Sequence, residues 1–212
     1  MTSTSSGFDR PVILDTNVEE FFQQQIMIAA EHQGLAARED TVHYVVKLLT
    51  AFVHARTLYE DTPDGPMIKP LALLYADAVS APHPNVRNQA LKRLGDVALF
   101  IAGVFPDSLN RQLVDVDYYI AMGGNAYSYL SDTSGNTLRW QSYRPIFDEL
   151  ARKFTAFVDL LGEVTEQCHF SEEGDVLRLY EVWLRTGSER SAQRLRKLGI
   201  QPPHASVSHR QH

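Results

Sequence analysis

Apolar residues recur at spacings of three and four along most of this chain, a periodicity that builds one face of a helix and cannot sit on one face of a strand. In residues 40 to 60, Val42, Val45, Leu48, Leu49, Phe52 and Ala55 fall on one side of such a helix. Phe21, Phe22, Ile26 and Ala29 form a second stripe, which Gly34 ends. Leu91, Leu94, Ala98, Ile101 and Ala102 form a third, closed by Phe105-Pro106 because the residue before proline is pushed out of the helical region. Phe147, Leu150, Phe154, Phe157, Val158, Leu161 and Val164 read as one long helix that starts at Pro145. Val176, Leu179, Tyr180 and Trp183 give a further face, and a last helix follows Gly187 with Ser188 as its cap. No run alternates with period two over the length of a strand, and no repeat of about 20 to 50 residues is present.

The pattern predicts an all-α fold, a single compact bundle of seven or eight helices with a buried hairpin around Phe105-Pro106 and disordered termini. Residues 1–10 are Ser/Thr-rich and read as an N-terminal tail, residues 11–200 as the helical domain, and residues 201–212, with two prolines, as a C-terminal tail. DTPDGP at 61–66, PHP at 82–84 and SDTSGN at 131–136 read as loops, and Pro70 suits the first turn of a helix running to Ser80. Asn85 can cap the helix that follows, and Asp107 or Ser108 a short one after Pro106.

At 212 residues the chain is long enough to bury about 70% of its unfolded surface. A hydrophobic content of 44% and a charged content of 22% suit a globular protein and argue against wholesale disorder. The net charge of −6 opposes general affinity for phosphate backbones and anionic membranes, so neither a nucleic acid nor a membrane is the expected partner. The single cysteine, Cys168, excludes an internal disulfide and fits a reducing compartment. VALFIAGVF at 97–105 is about half the length of a membrane span, and the N-terminus lacks the pattern of a secretory signal, which makes the cytoplasm the expected location.

Chemistry-bearing residues concentrate in 94–130. Asp96, Asp107, Asp115 and Asp117 occur there with Tyr118, Tyr119 and Tyr127, and Gly123-Gly124-Asn125 interrupts a helix expected from Asp115 to Leu130. Two glycines inside a helix cost about 2 kcal/mol against alanine, which close helix approach, a kink or a backbone-bound ligand would explain. The cluster reads either as a structural hydrogen-bond network with capping aspartates or as a ligand or partner pocket beside Gly123-Gly124. Lys92, four residues before Asp96, permits a surface ion pair worth a few tenths of a kcal/mol. Arg190, Arg194 and Lys197 can share a face of the last helix, suited to RNA phosphate or an acidic partner, or simply to solvent.

Two other constellations point to metals. VILDTNV at 12–18 resembles the first strand and catalytic aspartate of PIN-type metal-dependent ribonucleases, which would make Asp15 a ligand; as a helix start, the same Asp15 or Thr16 caps, with Glu19 as capping-box partner. Glu166 and His169 have the spacing of one arm of a di-iron bundle, but such sites use two copies and further glutamates. Neither set supplies a complete ligand shell, and no nucleophile stands beside a base. No catalytic residue, metal or cofactor is therefore assigned.

The blocks LGDVALFIAGVFPDSL, VDVDYYIAMGGNAYSYL and LYEVWLRTGSERSAQRL, in this order, are similar to an uncharacterised bacterial protein family of helical fold and unknown function, over roughly residues 40 to 200. The resemblance implies a helical fold and brings no reaction, cofactor or catalytic residue, and Asp15 lies outside its blocks. The expected function is a non-enzymatic binding or regulatory protein in the cytoplasm, contacting a protein partner or small ligand through the Asp/Tyr/Gly region or the basic last helix. A PIN-like ribonuclease using Asp15 is the alternative. Apolar faces on every helix permit a homo-oligomer as readily as a monomer.

Overall fold

The computed structural model describes residues 11–53, 60–62, 65–105, 115–133 and 138–168, together with Gln193 and Arg196. Seven helices are formed by these residues: α1 (Pro11–His32), α2 (Glu39–Val53), α3 (Leu71–Val79), α4 (Pro84–Val104), α5 (Val116–Thr133), α6 (Leu138–Arg152) and α7 (Phe154–Cys168). The fold is the all-α class that the apolar spacing predicts. A small antiparallel ribbon, β1 (Glu60–Thr62) with β2 (Gly65–Met67), stands where DTPDGP reads as a loop, in the register Glu60 to Met67, Asp61 to Pro66 and Thr62 to Gly65. The expected tails, 1–10 and 201–212, and the helices expected around 175–198, except for helical Gln193 and Arg196, lie outside the described residues.

Helix α4 is the axis. From Leu94 to Val104 every one of its residues is buried, so it is covered on all sides, and α2, α3, α5 and α7 pack around it. A helix of this kind must carry small residues wherever a neighbour crosses closely. The same requirement explains Gly123 on α5: a Cβ built there would stand 2.3 Å from Phe154 Cζ and 2.8 Å from Ala98 Cβ. Close approach of three helices is thus what the costly glycine permits, while Gly124 beside it has only ordinary contact distances.

Helix ends follow local chemistry. Gly34, at φ 61°, closes α1 in a Schellman arrangement, with Leu35 N–H donating to Ala30 C=O at 2.8 Å and Gly34 N–H to Glu31 C=O at 3.1 Å. Asp115 accepts from Tyr118 N–H at 3.1 Å, the geometry of an N-cap on α5. Helix α4 opens instead on His83 followed by Pro84, without a side-chain cap. Asn85 is therefore two residues past the cap position, and its side-chain Oδ1 accepts from Trp140 Nε1 at 2.7 Å.

The long helix expected from Pro145 is two helices with an earlier start. Pro145 lies inside α6, where it has no N–H to give the carbonyl four residues back, that of exposed Gln141. The break between α6 and α7 is one residue wide, at Lys153, with i to i−4 bonds on both sides (Lys153 N to Glu149 O, 2.9 Å; Phe157 N to Lys153 O, 3.0 Å). Lys153 Nζ donates to the Ala36 carbonyl and, at 2.8 Å, to Glu149 Oε1. Glu149 Oε2 accepts from Arg38 N–H at 3.0 Å, so a carboxylate from α6 caps α2, where the helix dipole favours negative charge.

Candidate functional site

Asp96 is buried on α4, and its carboxylate is the meeting point of three helices. Its Oδ1 accepts from Tyr44 Oη of α2 at 2.5 Å and from Tyr127 Oη of α5 at 2.8 Å. Its Oδ2 accepts from Lys92 Nζ at 2.6 Å, one turn back along α4. The Lys92–Asp96 pair is thus real but is not the surface pair that the spacing suggests, because Asp96 is only 7% exposed. A buried carboxylate survives when its lone pairs are matched, and here two phenols and an ammonium match them. Gly95 makes room for this arrangement, since a Cβ there would stand 2.7 Å from the Tyr127 ring.

Aromatic rings surround the knot. Phe147 of α6 lies nearly parallel to Tyr127 (5.5 Å between centroids, 12°) and to Tyr143 (5.6 Å, 18°), while Tyr44 meets Phe147 edge-on at 5.9 Å and 88°. Trp140 leans on Tyr143 and Phe147, each at 6.4 Å. Burial, then the Asp96 charge, raises the pKa of both Tyr44 and Tyr127 well above the ordinary phenol value; for Tyr127 the Tyr44 hydroxyl pulls slightly the other way. Both hydroxyls are therefore held as donors to the carboxylate.

Above this knot a groove of about 760 Å³ opens between α2, α4 and α6. Tyr44, Asp96, Trp140 and Tyr143 line its inner part, and Lys47, Lys92 and Arg93 bring positive charge to it. Lys92 Nζ lies 5.0 Å from the centroid of Tyr44 and the Arg93 guanidinium 5.5 Å from that of Phe52, both over the ring face. A second, smaller cleft of about 390 Å³ lies between α5 and the α6–α7 junction, lined among others by Gly124, Asn125, Ser131, Asp132 and Arg152.

The residues singled out in 94–130 therefore separate into four places. Asp96 and Tyr127 meet beneath the groove, and Gly124 and Asn125 line the second cleft. Gly123 is packing. Asp115 and Asp117 are exposed at the start of α5, Asp115 as its cap, and half-buried Tyr118 and Tyr119 form an edge-on pair at 5.9 Å. Asp107, Arg190, Arg194 and Lys197 lie outside the described residues.

Asp15 sits inside α1, within a continuous helix from Pro11, so VILDTNV is neither the first strand of a nuclease nor a capped helix start. Glu166 is exposed on α7 and His169 lies outside the described residues. Among the described residues no group of three or more His, Cys, Asp or Glu is placed to hold a metal ion, and no helix is long and apolar enough to cross a membrane.

Sequence reasoning missed Tyr44, Trp140 and Tyr143. Tyr44 was legible, since it continues the row Leu48 and Phe52 at spacings of four. Trp140 and Tyr143 precede Phe147 by seven and four residues, but reading Pro145 as a first turn cut them from the helix. Comparison of the chain with protein-family models, curated proteins and solved structures finds no match.

Proposed function

We propose that this is a non-enzymatic, cytoplasmic binding or regulatory protein that takes a small ligand in the groove above Asp96. The observation that carries the reading is the state of that carboxylate: both oxygens are already occupied by Tyr44, Tyr127 and Lys92, so Asp96 is arranged to hold a wall of the groove in place. A general base needs an acceptor site that is available to a substrate proton, and here the Oδ1 sites are filled by two phenols while Oδ2 is held by the Lys92 ammonium, which disfavours proton uptake. The volume supports a small occupant, since pockets for such molecules run from about 300 to 1,000 Å³ with mainly aromatic and apolar walls and a few polar groups. The knot also fixes α2 and α4, two of the three walls of the groove, without a ligand, which lowers the ordering cost of binding.

A thermal-denaturation screen against small metabolites tests the reading. A compound that raises the melting temperature of the wild type but not of Tyr143→Ala supports it. A screen in which every stabilising compound acts equally on both proteins overturns it.

A further inference from the structure

We infer that the ligand of this groove is a single planar aromatic ring carrying one anionic group, the chemistry of a nucleoside monophosphate. The inference rests on the reading of the groove as a ligand site and names the ligand's class. Its first support is the ring column. Tyr127, Phe147 and Tyr143 lie nearly parallel in two successive contacts, and the column runs from fully buried Tyr127 to half-buried Tyr143, which lines the groove. Phe147 covers one face of Tyr143 and Tyr44 meets it edge-on at 6.1 Å. The face turned from Phe147 is the one a further ring can stack on, continuing the offset geometry that aromatic groups prefer.

The second support is charge. The chain carries −6 overall, yet the groove is lined by three cations, Lys47, Lys92 and Arg93, against two carboxylates, Asp40 and Asp96. Asp96 and Lys92 offset each other as an ion pair, which leaves Lys47 and Arg93 against Asp40, itself 70% exposed and 3.6 Å from Arg38 Nη2. Lys92 has three donors and gives one to Asp96, so its ammonium retains capacity for an incoming anion while the Asp96 bond fixes its position. Lys47 pairs with Glu19 at 2.7 Å across exposed surface, an interaction weak enough to exchange for a phosphate. Lys92 stands over Tyr44, the ring next to Tyr143, so the anionic end and the stacking end adjoin.

One ring that has a single parallel partner among the described residues, Trp140 meeting it only at a tilt of 53°, and one cationic cluster specify one ring and one anion. A single-stranded nucleic acid would need a row of such platforms and a basic track, which an acidic chain with one aromatic column does not offer. The same chemistry nevertheless occurs in both, and the test separates them.

Calorimetric titration with adenosine monophosphate, adenosine, inorganic phosphate and an oligoadenylate, on wild type, Tyr143→Ala, Tyr143→Phe and Lys47→Gln, decides the matter. The monophosphate should bind saturably, and adenosine and phosphate alone should each bind at least about tenfold more weakly. Tyr143→Phe should retain binding, Tyr143→Ala should lose about tenfold, and Lys47→Gln should lose less and weaken the salt dependence. Lys47 is 55% exposed, so its variant stays folded even where Tyr143→Ala does not.

Equal affinity for adenosine and its monophosphate, tighter binding of the oligomer per nucleotide, or no saturable binding of any probe overturns the ligand class. In the last case a Tyr143-dependent melting shift with a neutral ring or an aliphatic anion leaves the groove standing as a site. The lack of any Tyr143-dependent shift removes both readings.

Discussion

Two regions of this molecule are built from aspartate and tyrosine. Beneath the groove, Asp96 gathers Tyr44 and Tyr127 from positions 52 and 31 residues away in sequence, and all three groups are largely withdrawn from water. At the start of α5, Asp115 bonds a backbone N–H only three residues on, Asp117 is exposed, and Tyr118 and Tyr119 lean on each other at the surface. The residue types are the same, but one set fixes helices relative to one another and the other only ends a helix. Burial and sequence separation, not composition, decide what an Asp/Tyr cluster does.

The largest expected effect lies in that contrast. Asp96→Ala leaves two phenols and an ammonium facing a space with no acceptor, and removal of one partner from a buried charged pair costs about 3–5 kcal/mol. Asp115→Ala should cost about 1 kcal/mol as a lost cap, and Asp117→Ala should stay within about 0.5 kcal/mol. Denaturant unfolding of the three variants measures the gap. Similar losses for Asp96 and Asp115 would break the comparison.

Neighbouring glycines sharpen it within one helix. Gly123→Ala forces a Cβ into Phe154 and Ala98, and overpacking of this kind costs about 1–3 kcal/mol. Gly124→Ala meets nothing nearer than 3.8 Å and should gain up to about 1 kcal/mol of helix propensity. Opposite signs in melting temperature are the expected result.

The helices were legible because their apolar rows are local: each stripe from Phe22 to Val164 can be read within a few turns. Glu149 was not, because nothing near it in sequence says that it caps α2 from a position 111 residues away. The α6–α7 break was hidden for a related reason, since the apolar spacing continues across Lys153 and the side chain's partner, Ala36, is remote. Of the site, Asp96, Tyr127 and Lys92 could be named from sequence, but the choice between network and pocket could not. The answer depends on Tyr44 and on Trp140 and Tyr143 arriving from other helices, with the network forming the floor and the groove lying above it.

Carboxylates repeat the contrast against pH. Burial opposes ionisation of Glu149, but the Lys153 ammonium and the Arg38 N–H, both bonded to its carboxylate, outweigh it and lower the pKa. A lowered pKa stabilises the fold above the unfolded value of about 4.3, and the contribution is lost as pH falls through the folded value. Glu149→Gln should therefore cost about 1.5–3 kcal/mol near neutrality, the worth of hydrogen bonds to a charged group, and flatten the acid limb of stability. Glu163, lowered chiefly by its bonds to Gln33 and His32 at the surface, should show the same sign and a smaller change when replaced by glutamine.

Tyrosines give the smallest effect and the opposite pH limb. Tyr127 has a raised pKa from burial and from Asp96, so its contribution is complete below the unfolded value of about 10 and is lost as pH rises through the folded one. Tyr127→Phe removes one hydrogen bond while Tyr44 and Lys92 remain on Asp96, a loss of about 1 kcal/mol at neutral pH. The variant should also lose less stability than wild type between neutrality and strongly alkaline pH, because one group that resists ionisation in the fold is gone. Tyr119, raised by partial burial and by Tyr118, should change neither quantity by more than about 0.5 kcal/mol when replaced by phenylalanine. Should the two variants give superimposable alkaline unfolding curves, the Tyr127 hydroxyl would be no more a part of the packed interior than its counterpart at the head of α5.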